Sequence, residues 1–419
     1  MEFNNNIEIT SPVGSYETLQ AAIQGGADSV YLGIGTLNMR SRSTFNFTIS
    51  DLPKIIKKCK ENNVKLYVTV NTIIYNEELE EVKSLLKELV KFGIDAVVAT
   101  DMAVILLCHE HSIPVHASTQ LNISNIEAVK FFSKYADTMV LARELSLEQV
   151  AKIITQINQQ KITGPSGKLV KIEIFVHGAL CMAISGKCYL SLDNYNYSAN
   201  RGACFQICRR AYRVFDEEKE VELLIDNKYI MSPKDLCTIE FIDKIIESGV
   251  SIFKIEGRAR APEYVKTVTH VYKNAVELYY KGLLTKETIR KLKSKLKDVF
   301  NRGFWDGYYL GKKTGEWTDS YGSQSAFIKE YVGKVTNYFS KIGVVEITLE
   351  SGKISLAQNL LIIGPTTGVE ELHVEEIRVN LKNVEEAIKG EMCSIPVKNL
   401  VRRNDKVYKL VRRTELLNY

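Results

Sequence analysis

No stretch of this 419-residue chain is apolar enough for long enough to span a bilayer; the most apolar run, Ala96–Cys108, is interrupted by Asp101. The opening residues, MEFNNNIEIT, lack a basic segment leading into an apolar one. No secretory leader is therefore expected, and a cytoplasmic setting is. There is no G-x-S-x-G elbow to present a nucleophilic serine and no H-E-x-x-H helix. His109-Glu110-His111 has the wrong spacing for two zinc ligands on one helix face. No strand-like run leads into a Gly-rich dinucleotide loop, and there is no low-complexity tract. The net charge is only +5, so where the charges sit matters more than their sum.

What is present reads as an ordinary globular chain, 45% apolar and 25% charged, with enough residues for a large core. Eight short apolar runs recur: Ile7–Thr10, Ser29–Gly33, Lys65–Asn71, Ala96–Thr100, Val115–Thr119, Thr138–Arg143, Ile172–Gly178 and Ile252–Gly257. They are rich in Val and Ile and do not alternate cleanly, as strands covered on both faces should not. Segments of helical period lie between them. Leu79–Phe92 places Leu79, Val82, Leu85, Leu86, Leu89 and Val90 on one side, and Asp51, Ser124 and Ser146 stand where N-caps belong. Eight strand–helix units predict a TIM-type (β/α)8 barrel rather than an open doubly wound sheet. The barrel is expected over residues 1–300, with an insertion at 179–227 and a Gly/Tyr/Trp-rich linker at 301–325. Period-two runs from about Ala326 predict a small C-terminal β-barrel domain over 326–419.

The insertion holds Cys181-x6-Cys188-x15-Cys204-x3-Cys208, half of the chain's eight cysteines. Without export signals, clustered thiols point to soft-metal ligation, either zinc or an iron–sulfur cluster. The short C-x2–4-C pairs usual for structural zinc are missing. Gly178, Gly186 and Gly202 would admit close backbone approach, and Arg201, Arg209, Arg210 and Arg213 would offset an anionic cluster. Cys237 is an alternative fourth ligand, whereas Cys59, Cys108 and Cys393 sit in apolar surroundings.

Reactive groups of such barrels project from the C-terminal ends of the strands. Those ends carry Asn71, Asp101, Gln120, Arg143, Glu144, His177, Glu256 and Arg258, with Lys254 set to point inward beside Glu256. His177 is the expected general acid or base. Arg143 and Arg258 suit bidentate carboxylate binding, with Glu256 completing the catalytic candidates. Near the C-terminus, Lys398, Arg402, Arg403, Lys406, Lys409, Arg412 and Arg413 form a basic run. Arg402, Arg403, Lys406, Arg412 and Arg413 are the candidate RNA-phosphate contacts; a solvated strand face is the plain alternative.

EIFVHGALCMAISGKCYLS, from Glu173 to Ser191, resembles the signature of the collagenase-like peptidase family U32. TSPVGSYETLQAAIQGGADSVYLG, LARELSLEQV, YIMSPKDL and FKIEGRARAPEYV resemble its other landmarks, and GACFQICRRAY is similar to the tRNA-hydroxylase branch. The resemblance implies a 4Fe-4S cluster on Cys181, Cys188, Cys204 and Cys208. It implies oxygen-independent hydroxylation of a tRNA wobble uridine to 5-hydroxyuridine, with prephenate, a small dicarboxylate, as oxygen donor. Hydroxylation of a ribosomal RNA base, collagenase-like proteolysis and non-enzymatic RNA binding are the alternatives. A cysteine protease needs a thiolate beside a histidine; His177 is near Cys181 in sequence, but that cysteine is better used as a cluster ligand.

Overall fold

Eight strands close into a ring in the computed structural model, which describes residues 7–42, 46–213, 229–312 and 314–416. β1 (Glu8–Pro12), β2 (Ser29–Gly33), β3 (Lys65–Val70), β4 (Ala96–Ala99), β5 (Val115–Ala117), β6 (Thr138–Val140) and β7 (Lys171–Ala179) pair in parallel in chain order. β8 (Asp235–Cys237) lies outside the ring. β9 (Ile252–Ile255) closes the barrel by pairing in parallel with both β7 and β1. The eight runs expected from the sequence are the eight ring strands.

Helices cover the ring's outer side. Tyr16–Gln24, Leu79–Phe92 and Leu147–Gln160 press Leu19, Leu86, Leu89, Val150 and Ile153 onto the strands. Their ends are fixed locally. Ser146 Oγ accepts from the Gln149 amide at 3.3 Å, and Gly93, at φ +70°, ends its helix in the left-handed conformation that glycine tolerates best. One expected cap shifts by a residue: Asn125, not Ser124, caps Ile126–Phe132. Among the described residues no helix is long and apolar enough to cross a membrane.

The stretch after the last barrel helices does not behave as a free linker. Its β10 (Phe304–Trp305) runs parallel to β8, which pairs antiparallel with the outer end of β7. Tyr309 then donates its hydroxyl to the Phe175 carbonyl at 2.7 Å. β10, of two residues, is too short to carry a periodic signal, and β8 stands outside the ring of strand–helix repeats.

Antiparallel sheets follow, as expected, from Phe327 onward. The long strand Phe327–Phe339 pairs with Val344–Leu349 and with Lys406–Arg412. The pairing order runs from an edge at Gly368–His373 to another at Lys382–Val384, and among the described residues no pairing joins the two edges. Val332, Val345, Ile347, Leu360 and Ile395 fill a second core. Leu361, Ile363 and Val369 instead join the barrel's core, so the sheets are docked on it. Gln24 donates to the Thr367 carbonyl at 2.8 Å, and Lys329 meets Glu263 at 2.9 Å across the same junction.

One glycine sets the rim of the barrel. At Gly178, φ is +109°, and an added Cβ would stand 2.2 Å from the Glu256 carbonyl oxygen and 3.0 Å from the Tyr264 hydroxyl. Gly178→Ala therefore combines backbone strain with a clash against β9. It should lower unfolding stability by about 3 kcal/mol, measured by denaturant titration; an unchanged midpoint would contradict the close approach.

Candidate functional site: a cationic cavity beneath four cysteines

The inward side of the ring is unusually polar. Barrels of this type are packed inside mainly with branched aliphatic side chains. Here β1, β3, β5, β7 and β9 turn Glu8, Tyr67, His116, Glu173 and Lys254 into the interior, all buried. Glu173 holds Lys254 Nζ at 2.6 Å and His116 Nδ1 at 2.8 Å. Burial alone would raise the Glu173 carboxyl; Lys254 and His116 overcome it and hold the group at about 2. Glu8 accepts from Lys65 at 2.6 Å and also pairs with the Tyr67 hydroxyl.

Above this layer, at the C-terminal ends of the strands, lies a cavity of about 630 Å³. Glu256 stands in it, paired with Arg40 at 3.1 Å and accepting from the Tyr31 hydroxyl at 3.2 Å. Burial works against its charge, but Arg40, Arg143 and Arg258 together hold the carboxyl at about 2. Arg258 donates to Asn38 Oδ1 and Thr69 Oγ1, each at 3.0 Å, and its burial pulls the guanidinium down to about 10. Arg143 stacks 3.8 Å from the Phe175 ring centroid and donates to the Ala179 carbonyl at 3.2 Å, while its buried Nε has no hydrogen-bond partner among the described residues. Among the described residues six arginines and two lysines line the cavity, against the acids Asp193 and Glu256. Such a lining selects for anions.

Cys181, Cys188, Cys204 and Cys208 all line this same cavity. They are brought there by the stretch after β7, which includes the short helix Leu190–Tyr195. Arg209 staples it: beside Cys208, it donates to the carbonyl of Leu180, beside Cys181, at 2.6 Å, and to the Pro233 carbonyl at 2.8 Å. Gly202, at φ +84°, has no room for a Cβ, which would lie 2.4 Å from Ser41 Oγ. Burial pushes the Cys208 thiol up to about 11; Arg209 opposes this, and Cys181, Cys204 and Cys188 add to it. Among the described residues no three His, Cys, Asp or Glu side chains converge tightly enough for a single metal ion. A cluster asks for a wider spacing, because each thiolate binds a different iron. Four thiols around one chamber, with cations beneath them, fit that donor set.

Several expected members of the site lie elsewhere. His177 does not line the cavity. Its imidazole is on the outer side of β7, packed against Tyr264, Tyr272 and Phe304, with Nδ1 3.3 Å from the Tyr272 hydroxyl. It is therefore corrected from acid–base candidate to core residue. Cys237 is its partner in the β7–β8 ladder and is likewise buried outside the cavity, so it is not placed to replace a ligand. Of the arginines flanking the cysteines, Arg209 lines the cavity, whereas Arg201 pairs with Glu78 and Arg210 lies over Tyr195. Asp101 caps the helix Met102–Glu110 through the Ala103 amide at 2.8 Å. Asn71 and Gln120 do line the cavity and bond to each other at 2.9 Å. Glu144 is exposed at a side hollow of about 130 Å³.

The basic C-terminal run is not one face. Lys409 pairs with Glu330 at 3.0 Å, Arg412 lies over Phe327, and Arg413 donates to the Ser325 carbonyl at 3.0 Å. Arg402, Arg403 and Lys406 are exposed, and none of them lines the cavity. Sequence reasoning missed Arg40, Arg260 and Arg302 among the cavity cations, and the Glu173–His116 pair below them. Arg40 follows β2 at its C-terminal end, which was the available signal; the others carried none beyond strand position.

Burial, with Arg260 adding to it, holds the His177 imidazole near 3, far below its usual 6.5. The folded chain keeps it neutral while the unfolded chain takes up a proton below 6.5. Stability from this group is thus full above 6.5 and falls as the pH drops toward 3. Between pH 7 and pH 5 the loss should be about 2 kcal/mol, and His177→Phe should flatten that part of the profile in urea titrations. An unflattened slope would place the histidine in contact with solvent.

The model of peptidase family U32 matches residues 14–319. A Porphyromonas gingivalis protein named "Collagenase" is 54% identical over 98% of this chain and 99% of its own length. The Bacillus subtilis "tRNA hydroxylation protein P1" is 34% identical over 65% of this chain and 63% of its own. The Escherichia coli "23S rRNA 5-hydroxycytidine C2501 synthase" is 32% identical over 75% of this chain and 46% of its own. With a closed parallel barrel, the signature from Glu173 to Ser191 and a match across most of its length, the chain belongs to peptidase family U32.

Proposed function

We propose that the chain is an RNA-modifying enzyme that hydroxylates a tRNA wobble uridine to 5-hydroxyuridine without molecular oxygen, taking the oxygen from a small dicarboxylate such as prephenate. The observation that carries this reading is the joining of four cysteines and a cation-rich floor in one chamber. Cys181, Cys188, Cys204 and Cys208 would hold a 4Fe-4S cluster, which supplies redox or Lewis-acid chemistry that no side chain offers. Arg143 and Arg258 bind and orient the carboxylates of the donor. Glu256, pinned as a carboxylate, keeps Arg40 and Arg258 in place.

The base would enter from the rim. Tyr189, Tyr195, Tyr197 and Phe205 are exposed there, with Tyr195 and Tyr197 5.2 and 5.5 Å from Phe205 and Arg42 4.2 Å above Tyr197. Exposed rings interleaved with guanidinium groups suit the stacking of unpaired bases. Arg402, Arg403 and Lys406 would add phosphate contacts farther along the RNA. The tRNA- and rRNA-hydroxylating names of relatives at 34% and 32% identity support an RNA base as substrate. Proteolysis, the reading favoured by the name of the 54% identical relative, gains no support from the cavity, whose lining among the described residues includes no histidine to pair with a thiolate or hydroxyl.

The test is a mass-spectrometric nucleoside census of tRNA and rRNA from cells with and without the gene, and with prephenate synthesis blocked. Loss of 5-hydroxyuridine from tRNA in both cases is the expected result, and each of the four Cys→Ala variants should fail to restore it and bleach the purified protein. Unchanged tRNA with a missing hydroxylated rRNA base would move the assignment to ribosomal RNA. Unchanged RNA together with hydrolysis of gelatin by the purified chain would replace it with proteolysis.

A further inference from the structure

We infer that Lys254 is the cavity-floor cation that contacts the bound ligand, donating to one of its anionic oxygens, and that Glu173 and His116 are the positioning pair that holds it there. The inference rests on the chamber being a ligand site, and it gives the inward-pointing Lys254 a role there and adds the mid-strand Glu173 and His116 to it.

Ions buried without need are a liability, since well-packed apolar side chains of like volume are often at least as stable. Yet β5, β7 and β9 place His116, Glu173 and Lys254 side by side where aliphatic layers are usual, and Glu173 is wholly buried. Both Glu173 oxygens are used, one on each neighbour, at 2.6 and 2.8 Å. The carboxylate thus fixes the ammonium from below and is itself fixed by the imidazole, whose ring packs 4.3 Å from that of Tyr67. A pair this well braced is more than charge neutralisation requires.

The other end of Lys254 meets the cavity, which it lines. An ammonium has three N–H groups. Among the described residues Glu173 is its one hydrogen-bond acceptor, and the ammonium also lies over the Tyr31 ring, 4.6 Å from its centroid, a cation–π contact that uses no N–H···O bond. Two donors are left for a ligand. The neighbouring cations differ. Arg258 anchors its Nη1 on Asn38 and Thr69 and can offer a ligand only its remaining donors, and Arg40 is paired with Glu256. Among the described residues the buried Arg143 Nε has no partner and Lys254 bonds only Glu173, and both cations lie over the same Phe175 ring, 3.8 and 5.7 Å from its centroid. Two under-used cations flanking one aromatic floor define a site for an oxyanion. Carboxylate and phosphate share that chemistry.

The experiment uses the full chain without RNA, so it does not depend on any hydroxylation assay. Binding of malonate and of inorganic phosphate is followed by calorimetry and by the thermal midpoint. The wild type should bind at least one of them saturably, malonate marking a carboxylate ligand and phosphate a nucleotide one. Lys254→Met should weaken that binding by about tenfold or more, as loss of a charge-assisted hydrogen bond does. Lys254→Arg should recover most of it. Glu173→Gln should weaken binding with Glu173→Asp recovering part, which a purely structural carboxylate would not do. The triple variant Lys254→Met, Glu173→Leu, His116→Phe should keep or raise the wild-type midpoint in the absence of anion and lose the anion response. Wild-type binding of neither probe, or wild-type affinity in Lys254→Met, would overturn the inference. Intact anion binding in a protein that leaves all RNA unmodified would sink the RNA reading alone.

Discussion

The closing strand Ile252–Ile255 is the constraint on which the chamber depends. It is hydrogen-bonded on both sides, to β7 and to β1, so its register is fixed twice. Strand alternation then decides what each residue does. Phe253 and Ile255 turn outward into the core under the helices, fully buried, and Lys254 turns inward. Glu256 and Arg258 continue the inward set beyond the strand and reach the cavity. A slip of one residue would exchange a core stripe for a charged one. Gly178 across the ladder and Gly257 after Glu256 leave no room for such a slip, since a Cβ on either would meet Glu256 O or the Tyr264 ring below 3 Å.

The same alternation explains what the sequence disclosed and what it hid. Ring strands were legible because burial on both faces demands runs of Val and Ile, and those runs survive inspection without a partner in view. Arg143, Glu256 and Arg258 were legible because chemistry in such barrels gathers at strand ends. His177 followed the same rule and failed it. The ladder between β7 and β9 shifts between Phe175 and His177. That irregularity turns the imidazole outward toward Tyr272, and nothing in the residue string marks it. Glu173 and His116 lay at mid-strand, where charged residues are normally read as anomalies, so their meeting with Lys254 could only come from three strands seen together.

In the C-terminal sheets, composition misled in a different way. Seven cations within sixteen residues read as one surface, but a strand has two faces and a turn has neither. Lys409 points to an acid on the next strand, Arg413 caps a carbonyl, Arg412 lies over Phe327, and the exposed remainder is Lys398, Arg402, Arg403 and Lys406. Neighbouring pairs such as Lys334 with Glu350 and Lys353 with Glu386 show the same local neutralisation. Charge on these sheets is largely spent within them.

The cavity is the opposite case. Its arginines and lysines outnumber its acids, several are buried, and burial of a cation without a full counter-charge is costly. Glu256 offsets part of the excess and cannot offset more, since Arg40, Arg143 and Arg258 already hold it fully ionised. Above it, burial pushes the Cys208 and Cys188 thiols up, with neighbouring cysteines adding to the effect, so neither is disposed to ionise by itself. The floor is thus left with positive charge that the two acids of the lining do not balance. An anionic ligand would relieve the floor, and a cation-rich centre bound by the thiols would stabilise them as thiolates. That reciprocal need, built from strands and an insertion far apart in sequence, is the physical reason to regard the floor and the cysteines as one site.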